Sequence, residues 1–134
     1  VEQVARFNER DVERLVGDVT IVRHRGKIVS AINNAQRAIE MRDEFGSLAA
    51  YFWRHEPDPA SRPKLITRQA LMANTTSAES IAISRDLKKR GWNFVGPTTI
   101  YAFMQAMGLV NDHIEGCGTR EAALLARKNF VVPT

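Results

Sequence analysis

The 134-residue chain has little of what covalent cross-linking or membrane insertion requires. Its single cysteine excludes an internal disulfide, and a lone thiol is typical of a reducing compartment rather than of secretion. No apolar run approaches the roughly 18 residues of a membrane-spanning helix, and no signal peptide opens the sequence. No segment alternates between apolar and polar residues as a strand of roughly five residues would. We therefore expect an all-α protein of the cytoplasm, with no membrane partner.

Composition limits the size of the fold and the kind of partner. Hydrophobic residues make up 44% of the chain, which is enough for one helical domain over residues 1–134. The chain has 19 Lys and Arg against 15 Asp and Glu, a net charge of +4 that favours polyanions without identifying one. Because Val1 and not Met comes first, we expect the natural N-terminal segment to be absent from this sequence.

Capping residues and apolar spacing predict several helices. Asn8 is placed to cap a helix over Glu9–Val16. Other amphipathic segments are predicted as helices over Val22–Phe45, Ser47–Trp53 and Thr119–Ala126. In the last of these, Leu124 and Leu125 are expected to pack inward. Glu56–Asn74 contains three prolines and no sustained period, which predicts a long connection.

Two further helices are joined by a short hairpin within residues 77–108. Thr76 and Glu79 form a capping box for the first helix, and Gly91 ends it after a basic last turn. Pro97 suits the first position of the second helix. The buried stripe of that helix is predicted to comprise Ile100, Phe103, Met104 and Met107. The predicted fold is a helical bundle with a helix-hairpin-helix motif.

The hairpin has the composition of a phosphate clamp. Val95-Gly96 before a helix start presents main-chain N–H groups at the positive end of a helix dipole, and glycine lets a phosphate approach closely. Lys88-Lys89-Arg90 could add salt-dependent contacts with a nucleic-acid backbone. The alternative is that Gly91 and Gly96 only end helices and that the basic run is a solvated face.

Two long stretches of the sequence resemble one family. The run LKKRGWNFVGPTTIYAFMQAMGLVNDH, from Leu87 to His113, is similar to the DNA-3-methyladenine glycosylase I family of the helix-hairpin-helix superfamily. DVERLVGDVTIVRHRGKI, from Asp11 to Ile28, is similar to another stretch of that family. The resemblance implies a monomeric, monofunctional base-excision repair enzyme that hydrolyses the N-glycosidic bond of 3-methyladenine in double-stranded DNA. The alternatives are a non-catalytic helix-hairpin-helix DNA-binding module and a helical protein–protein adaptor.

The resemblance also implies where DNA would bind. The expected DNA-binding residues are Lys88, Lys89, Arg90, Gly91, Val95, Gly96, Thr98 and Thr99. Members of the superfamily that cleave the strand carry a lysine at the position of Thr98, and threonine cannot form an imine, so no lyase activity is expected. Phe94 occupies the position of the first glycine in the usual Gly-Val-Gly hairpin, which predicts one fewer residue with a left-handed backbone.

The catalytic group expected elsewhere in the superfamily is replaced here. Asn111 stands at the position of the superfamily's catalytic aspartate and cannot act as a strong base. An N3-alkylated adenine is already cationic, so its excision depends more on selective binding than on acid–base chemistry. The glutamate that reads the base is expected upstream of Val1, and no catalytic residue is assigned in this chain. Asn111 and Thr98 are candidates for a sugar-side pocket, while Asn111 could equally bond its own backbone.

A histidine and the single cysteine have a metal-ligand spacing. His113 and Cys117 are four residues apart, which places both on one side of a helical turn. The family resemblance implies a structural zinc, with these two as half of its four ligands. The other histidines are interpreted differently: His24 as part of a solvated helix face and His55 as a residue near a helix end.

Overall fold

The computed structural model describes all 134 residues and contains helices and loops but no strand. The α-helices, in chain order, are α1 Glu2–Ala5, α2 Glu9–Gly17, α3 Arg25–Phe45, α4 Leu48–Trp53, α5 Arg68–Ala73, α6 Ala78–Lys89, α7 Pro97–Met107 and α8 Gly118–Asn129. A single 3₁₀ turn covers Pro59–Ser61. The predicted all-α fold with a helix-hairpin-helix motif is confirmed. None of the helices combines the length and the apolar character needed to cross a bilayer.

The chain divides into two compact units, with boundaries inside α4, inside α6 and between Val95 and Gly96. The first unit comprises Val1–Leu48 and Asp86–Val95, and the second comprises Ala49–Arg85 and Gly96–Thr134. Each unit collects residues that are distant in the sequence. The expectation of a single domain over residues 1–134 stays a prediction.

In the first unit, α3 packs against α1 and α2. Polar contacts support this packing: Gln36 Nε2 donates to the carbonyl oxygen of Ala5 at 3.0 Å, and Arg25 pairs with Glu9 and Glu13 of α2. The buried apolar residues of this unit are Val12, Ile28, Ala35, Ala38, Met41, Leu87 and Val95. The long helix α3 is therefore the support for the other elements of the unit.

The second unit has an aromatic-rich core. Its buried apolar residues are Ala50, Tyr51, Phe52, Ile66, Ile83, Ile100, Tyr101, Met104, Leu109 and Val110. The rings of Phe52 and Phe103 lie 4.6 Å apart between centroids, which joins α4 to α7. α8 leaves most of its apolar side chains outside: Leu124 is 44% and Leu125 60% exposed, so the expectation that they pack inward is wrong. Met107 is also exposed, and Tyr101 takes a buried place on α7 that was not predicted.

The starts of α3 and α5 differ from the predictions, and in each helix a side chain caps the first turn. α3 begins at Arg25 because the His24 side chain accepts from the amide of Lys27, so His24 is an N-cap and not part of a solvated helix face. The connection Glu56–Asn74 contains α5, whose first turn is capped by Thr67. Threonine is a common N-cap residue, whereas histidine is not among the preferred ones, so the sequence gives only a weak signal for the start of α3.

The start of α6 lies one residue beyond the predicted capping box. Ser77 and Ser80 make the box: the amide of Ser80 donates to Ser77 Oγ at 3.2 Å, and the amide of Ser77 donates to Ser80 Oγ at 2.8 Å. The interpretation of Thr76 and Glu79 as the box is therefore wrong. Serine and threonine can both serve as the N-cap of a capping box. Here Ser77 takes that place, and its partner Ser80 is buried.

We expect Ser77→Ala to lower the free energy of unfolding by about 1 kcal/mol, because it removes the acceptor that caps α6. Thr76→Ala is the matched control and is expected to change it by less than about 0.5 kcal/mol. Urea unfolding followed by circular dichroism measures both. Equal losses in the two variants would contradict the assignment of the cap.

Candidate nucleic-acid interface

The first helix of the hairpin ends as predicted. Gly91 has φ +83°, and its amide donates to the carbonyl oxygen of Lys88 at 3.1 Å. The amide of Trp92 donates to the carbonyl oxygen of Leu87 at 3.0 Å. These bonds satisfy carbonyl groups that the last turn of α6 would otherwise leave free. The left-handed backbone explains the glycine, because a Cβ there is strained.

The basic run divides into two free cations and one paired cation. Lys88 and Lys89 are exposed and form no ion pair. Arg90 instead donates to Asp86 at 2.8 Å and to Glu44 at 2.6 Å, and these hydrogen bonds, first the one to Glu44, raise the pKa of Arg90 above its ordinary value. Of the three predicted DNA-binding cations, the structure leaves the two lysines available and engages the arginine within the protein.

Two asparagines of α3 hold the hairpin loop. Asn34 Nδ2 donates to the carbonyl of Asn93 at 2.9 Å, and the amide of Asn93 donates back to Asn34 Oδ1 at 2.9 Å. Asn33 Nδ2 donates to the carbonyl of Gly91 at 2.8 Å. The three bonds fix the main chain on both sides of Trp92. Sequence reasoning missed both asparagines, because their partners lie nearly sixty residues away.

Phe94 adopts the backbone conformation of the glycine it replaces. Its φ is +55°, the only positive value at a residue other than glycine in the chain. The prediction of one fewer left-handed residue is wrong. A left-handed backbone costs a non-glycine residue about 1 to 2 kcal/mol, so the surroundings impose this conformation. The hairpin thus keeps its turn although the sequence departs from Gly-Val-Gly.

In the second unit, the start of α7 has free donors. Gly96 is the N-cap residue and provides no side-chain cap, while Pro97 has no N–H to satisfy. The amides of Gly96, Thr98 and Thr99 have no acceptor within the chain, and the two threonines are exposed. Free amides at the positive end of an 11-residue helix are an arrangement that binds anions.

The Asn111 side chain forms hydrogen bonds with main-chain groups close to it in the sequence. Its Nδ2 donates to the carbonyl of Arg120 at 3.2 Å, and its Oδ1 accepts from the amide of His113 at 3.2 Å. The same side chain lies on the wall of a cleft of about 710 Å³ in the second unit. Of the two interpretations of Asn111, the structure therefore shows the one in which a loop residue bonds nearby main-chain groups. A place in a sugar-side pocket stays a prediction.

The neighbouring Asp112 is engaged by three partners. It pairs with Arg62, accepts from the Tyr101 hydroxyl at 2.9 Å and accepts from Gln105 Nε2 at 2.8 Å. Its side chain is only 7% exposed. Both of its oxygens already accept hydrogen bonds, and these bonds join α7 to Arg62, which follows the Pro59–Ser61 turn. The carboxylate is therefore poorly suited to activate a water molecule.

Burial and charge shift the pKa values in this cluster. Burial raises the pKa of Tyr101, and the hydrogen bond that it donates to Asp112 raises it further, while Arg62 opposes both effects. Burial alone would lower the pKa of Arg62, but its bond to Tyr101 and the charge of Asp112 raise it above the ordinary value. The Arg62 guanidinium is therefore charged at neutral pH.

His113 and Cys117 come together as a pair. The distance from Cys117 Sγ to His113 Nδ1 is 3.6 Å. With ordinary zinc–sulfur and zinc–nitrogen bond lengths, a tetrahedral ion separates two such ligand atoms by about 3.6 Å, so the two residues fit as half of a zinc site. No group of three or more His, Cys, Asp or Glu residues in the structure could complete it. Zinc binding stays a prediction.

The fold and the hairpin place this protein among helix-hairpin-helix proteins. Residues 1–121 match the family described as methyladenine glycosylase. The chain belongs to the methyladenine glycosylase family. The sequence is 42% identical over 120 residues to DNA-3-methyladenine glycosylase 1 of Escherichia coli K12, and 34% identical over 119 residues to DNA-3-methyladenine glycosylase of Haemophilus influenzae.

Solved structures agree with the sequence relatives. A crystal structure of 3-methyladenine DNA glycosylase I is 40% identical and superposes with a TM-score of 0.77, covering 87% of this chain and 63% of that one. The enzyme of Staphylococcus aureus, whose structure describes 3-methyladenine recognition, is 31% identical with the same TM-score. The chain covers 60% of the Escherichia coli relative and 62% of the Haemophilus influenzae relative, and the matches take in 86% and 87% of this chain. It therefore spans about three-fifths of the length of these proteins.

We expect Asp112→Asn to lower the free energy of unfolding by about 2 kcal/mol or more, because it leaves the largely buried Arg62 guanidinium without its counter-charge. Asp43→Asn, at an exposed position of α3, is the matched control and should change it by less than about 0.5 kcal/mol. Chemical denaturation at neutral pH measures both. A variant as stable as the parent would show that the Asp112 cluster contributes nothing to folding.

Proposed function

We propose that the protein to which this chain belongs is a monofunctional DNA glycosylase that removes 3-methyladenine from double-stranded DNA in base-excision repair. The observation that carries the proposal is the match of residues 1–121 to the methyladenine glycosylase family, which includes the hairpin with its free amides. Because the chain spans three-fifths of its relatives' length, the reaction is proposed for the protein at full length.

Within this function, the hairpin binds the DNA backbone. The amides of Gly96, Thr98 and Thr99 donate to a phosphate oxygen, and the helix dipole of α7 adds to the attraction. Lys88 and Lys89 contribute salt-dependent contacts that carry no sequence information. Such a grip holds the duplex while the damaged nucleotide leaves the stack, at a cost of a few kcal/mol that is lower for a damaged base.

The chemistry of the lesion explains why no strong base is needed near Asn111. An adenine alkylated at N3 carries a positive charge and is a good leaving group, so selective binding of the cation provides much of the rate. Asp112, the nearest carboxylate, is neutralised by Arg62. Thr98 offers no amine, so the enzyme releases the base by hydrolysis and leaves the strand intact.

The full-length protein is expected to release free 3-methyladenine from methylated duplex DNA without nicking it. Chromatography of the released bases and a denaturing gel measure the two outcomes. Nicking through a borohydride-trappable imine would contradict the monofunctional assignment. Hairpin-dependent binding of duplex DNA with no base release would instead support the DNA-binding module.

The lysines of the hairpin can be tested separately from the chemistry. Lys88→Gln is expected to weaken binding to all duplex sequences alike and to reduce the salt slope of the binding constant by about 1, because one phosphate contact is lost. Lys64→Gln, at an exposed lysine of the Glu56–Asn74 connection, is the control and should leave the slope unchanged. Fluorescence anisotropy across a salt series measures both slopes. Equal slopes for all three proteins would remove Lys88 from the interface.

We also propose that His113 and Cys117 supply two of the four ligands of a structural zinc in the full-length protein. Elemental analysis is expected to find about one zinc per molecule, and Cys117→Ser is expected to lose it. His24→Asn keeps a helix cap and should retain the metal. Zinc-free full-length protein, or a Cys117→Ser variant that still holds zinc, would contradict the proposal.

A further inference from the structure

A shallow groove lies beside the hairpin in the first unit. It has a volume of about 530 Å³ and opens to solvent between the first turns of α3 and the hairpin loop. The residues that line it are Arg25, Gly26, Val29, Ser30, Asn93 and Phe94. The bonds from Asn34 to Asn93 hold its two walls together. The amides attributed above to phosphate binding belong to α7, so this groove is a separate feature.

The centre of the groove is apolar although it faces water. Phe94 is 60% and Val29 47% exposed. The Phe94 ring touches the edge of the His24 ring, with 6.4 Å between centroids, and its other surface is open. Phe94 combines an exposed aromatic ring with a strained left-handed backbone, and a residue in such a conformation is a candidate for function.

The segments that form the groove carry positive charge, and the Glu9 and Glu13 carboxylates that reach Arg25 come from α2. Residues 19–39 and 87–95 supply both walls and contain no aspartate or glutamate. Arg23 and Lys27, which lie within two residues in sequence of the groove residue Arg25, are exposed and form no ion pair. Arg25 is already paired with Glu9 and Glu13, so it is not counted among the free cations. An apolar centre flanked by unpaired cations complements a nucleotide, which combines a flat apolar surface with an anionic backbone.

We propose that this groove binds a nucleotide of the DNA strand, with Phe94 packed against its sugar and base and with Arg23 and Lys27 near its flanking phosphates. The proposal rests on the proposed function in one respect, because DNA is taken as the partner. It extends the interface from the hairpin to the first turn of α3. It also gives Phe94 a role that a glycine could not fill.

Replacing the ring tests the apolar contact. Phe94→Gly relieves the left-handed backbone, so its unfolding midpoint is not expected to fall, while its affinity for a duplex should fall roughly fivefold or more. Phe94→Asn tolerates the same backbone and should behave alike. Because the lost contact is uncharged, the salt slope should not change. Unaltered or tighter binding by the glycine variant, with the fold intact, overturns the proposal.

Removing a charge tests the other half of the interface. Lys27→Gln is expected to lower the salt slope of duplex binding by about 1, as the loss of one phosphate contact predicts. Lys128→Gln makes the same change in net charge at an exposed site in the last turn of α8 and should leave the slope as it was. Anisotropy with a short duplex measures both in the full chain. Equal slopes in the two variants place Lys27 outside the interface and overturn the proposal.

The Lys88→Gln variant separates this proposal from the proposed function. If Lys88→Gln lowers the salt slope while Phe94→Gly and Lys27→Gln bind like the parent, the hairpin binds DNA and the groove does not. If none of the three variants differs from the parent, DNA binding through this face fails altogether. A loss in all three supports a continuous interface from the hairpin to α3.

Discussion

The pair of hydrogen bonds between the Asn34 side chain and the main chain of Asn93 is the constraint on which the hairpin depends. The amide of Asn34 acts as donor and acceptor at once, as a neighbouring strand would, and immobilises the residue before Phe94. Each bond contributes about 1 kcal/mol, so the pair offsets the 1 to 2 kcal/mol that a left-handed Phe94 costs. A loop without this support would relax toward an ordinary backbone and lose the turn between the two helices.

The same hairpin shows why some features could be predicted from the sequence. Gly91, Pro97 and Gly108 act through their own backbone chemistry, and the ends of α6 and α7 follow them within a residue or so. Asn34 acts through a partner almost sixty residues away, which no local pattern reveals. Phe94 misled the prediction for a related reason, because its backbone preference is overridden by contacts distant in the sequence.

Burial was predicted correctly only in part. In α7 the predicted stripe includes Ile100 and Met104, which are buried, and Met107, which is exposed. In α8 the same reasoning placed Leu124 and Leu125 inside, whereas both are exposed. Periodicity indicates that a helix has an apolar face, but it does not show whether another element of the protein covers that face. The DNA-binding role of the hairpin amides and of Lys88 and Lys89 stays a prediction. The pairing of Arg90 could not be predicted, because it depends on a tertiary contact with Glu44.

The electrostatics of the hairpin limit what it can recognise. Free amides at the start of α7 and the exposed Lys88 and Lys89 suit any polyanion, so in the proposed function they would hold DNA without distinguishing a damaged strand from an intact one. A cationic alkylated base gains nothing from such a positive surface. In the proposed function, selection of the lesion would therefore require groups of the opposite character, namely aromatic faces or a carboxylate that is not paired with a cation of the protein. Asp112 does not meet that requirement, because Arg62 already neutralises it. Binding the strand and reading the base are thus physically distinct tasks.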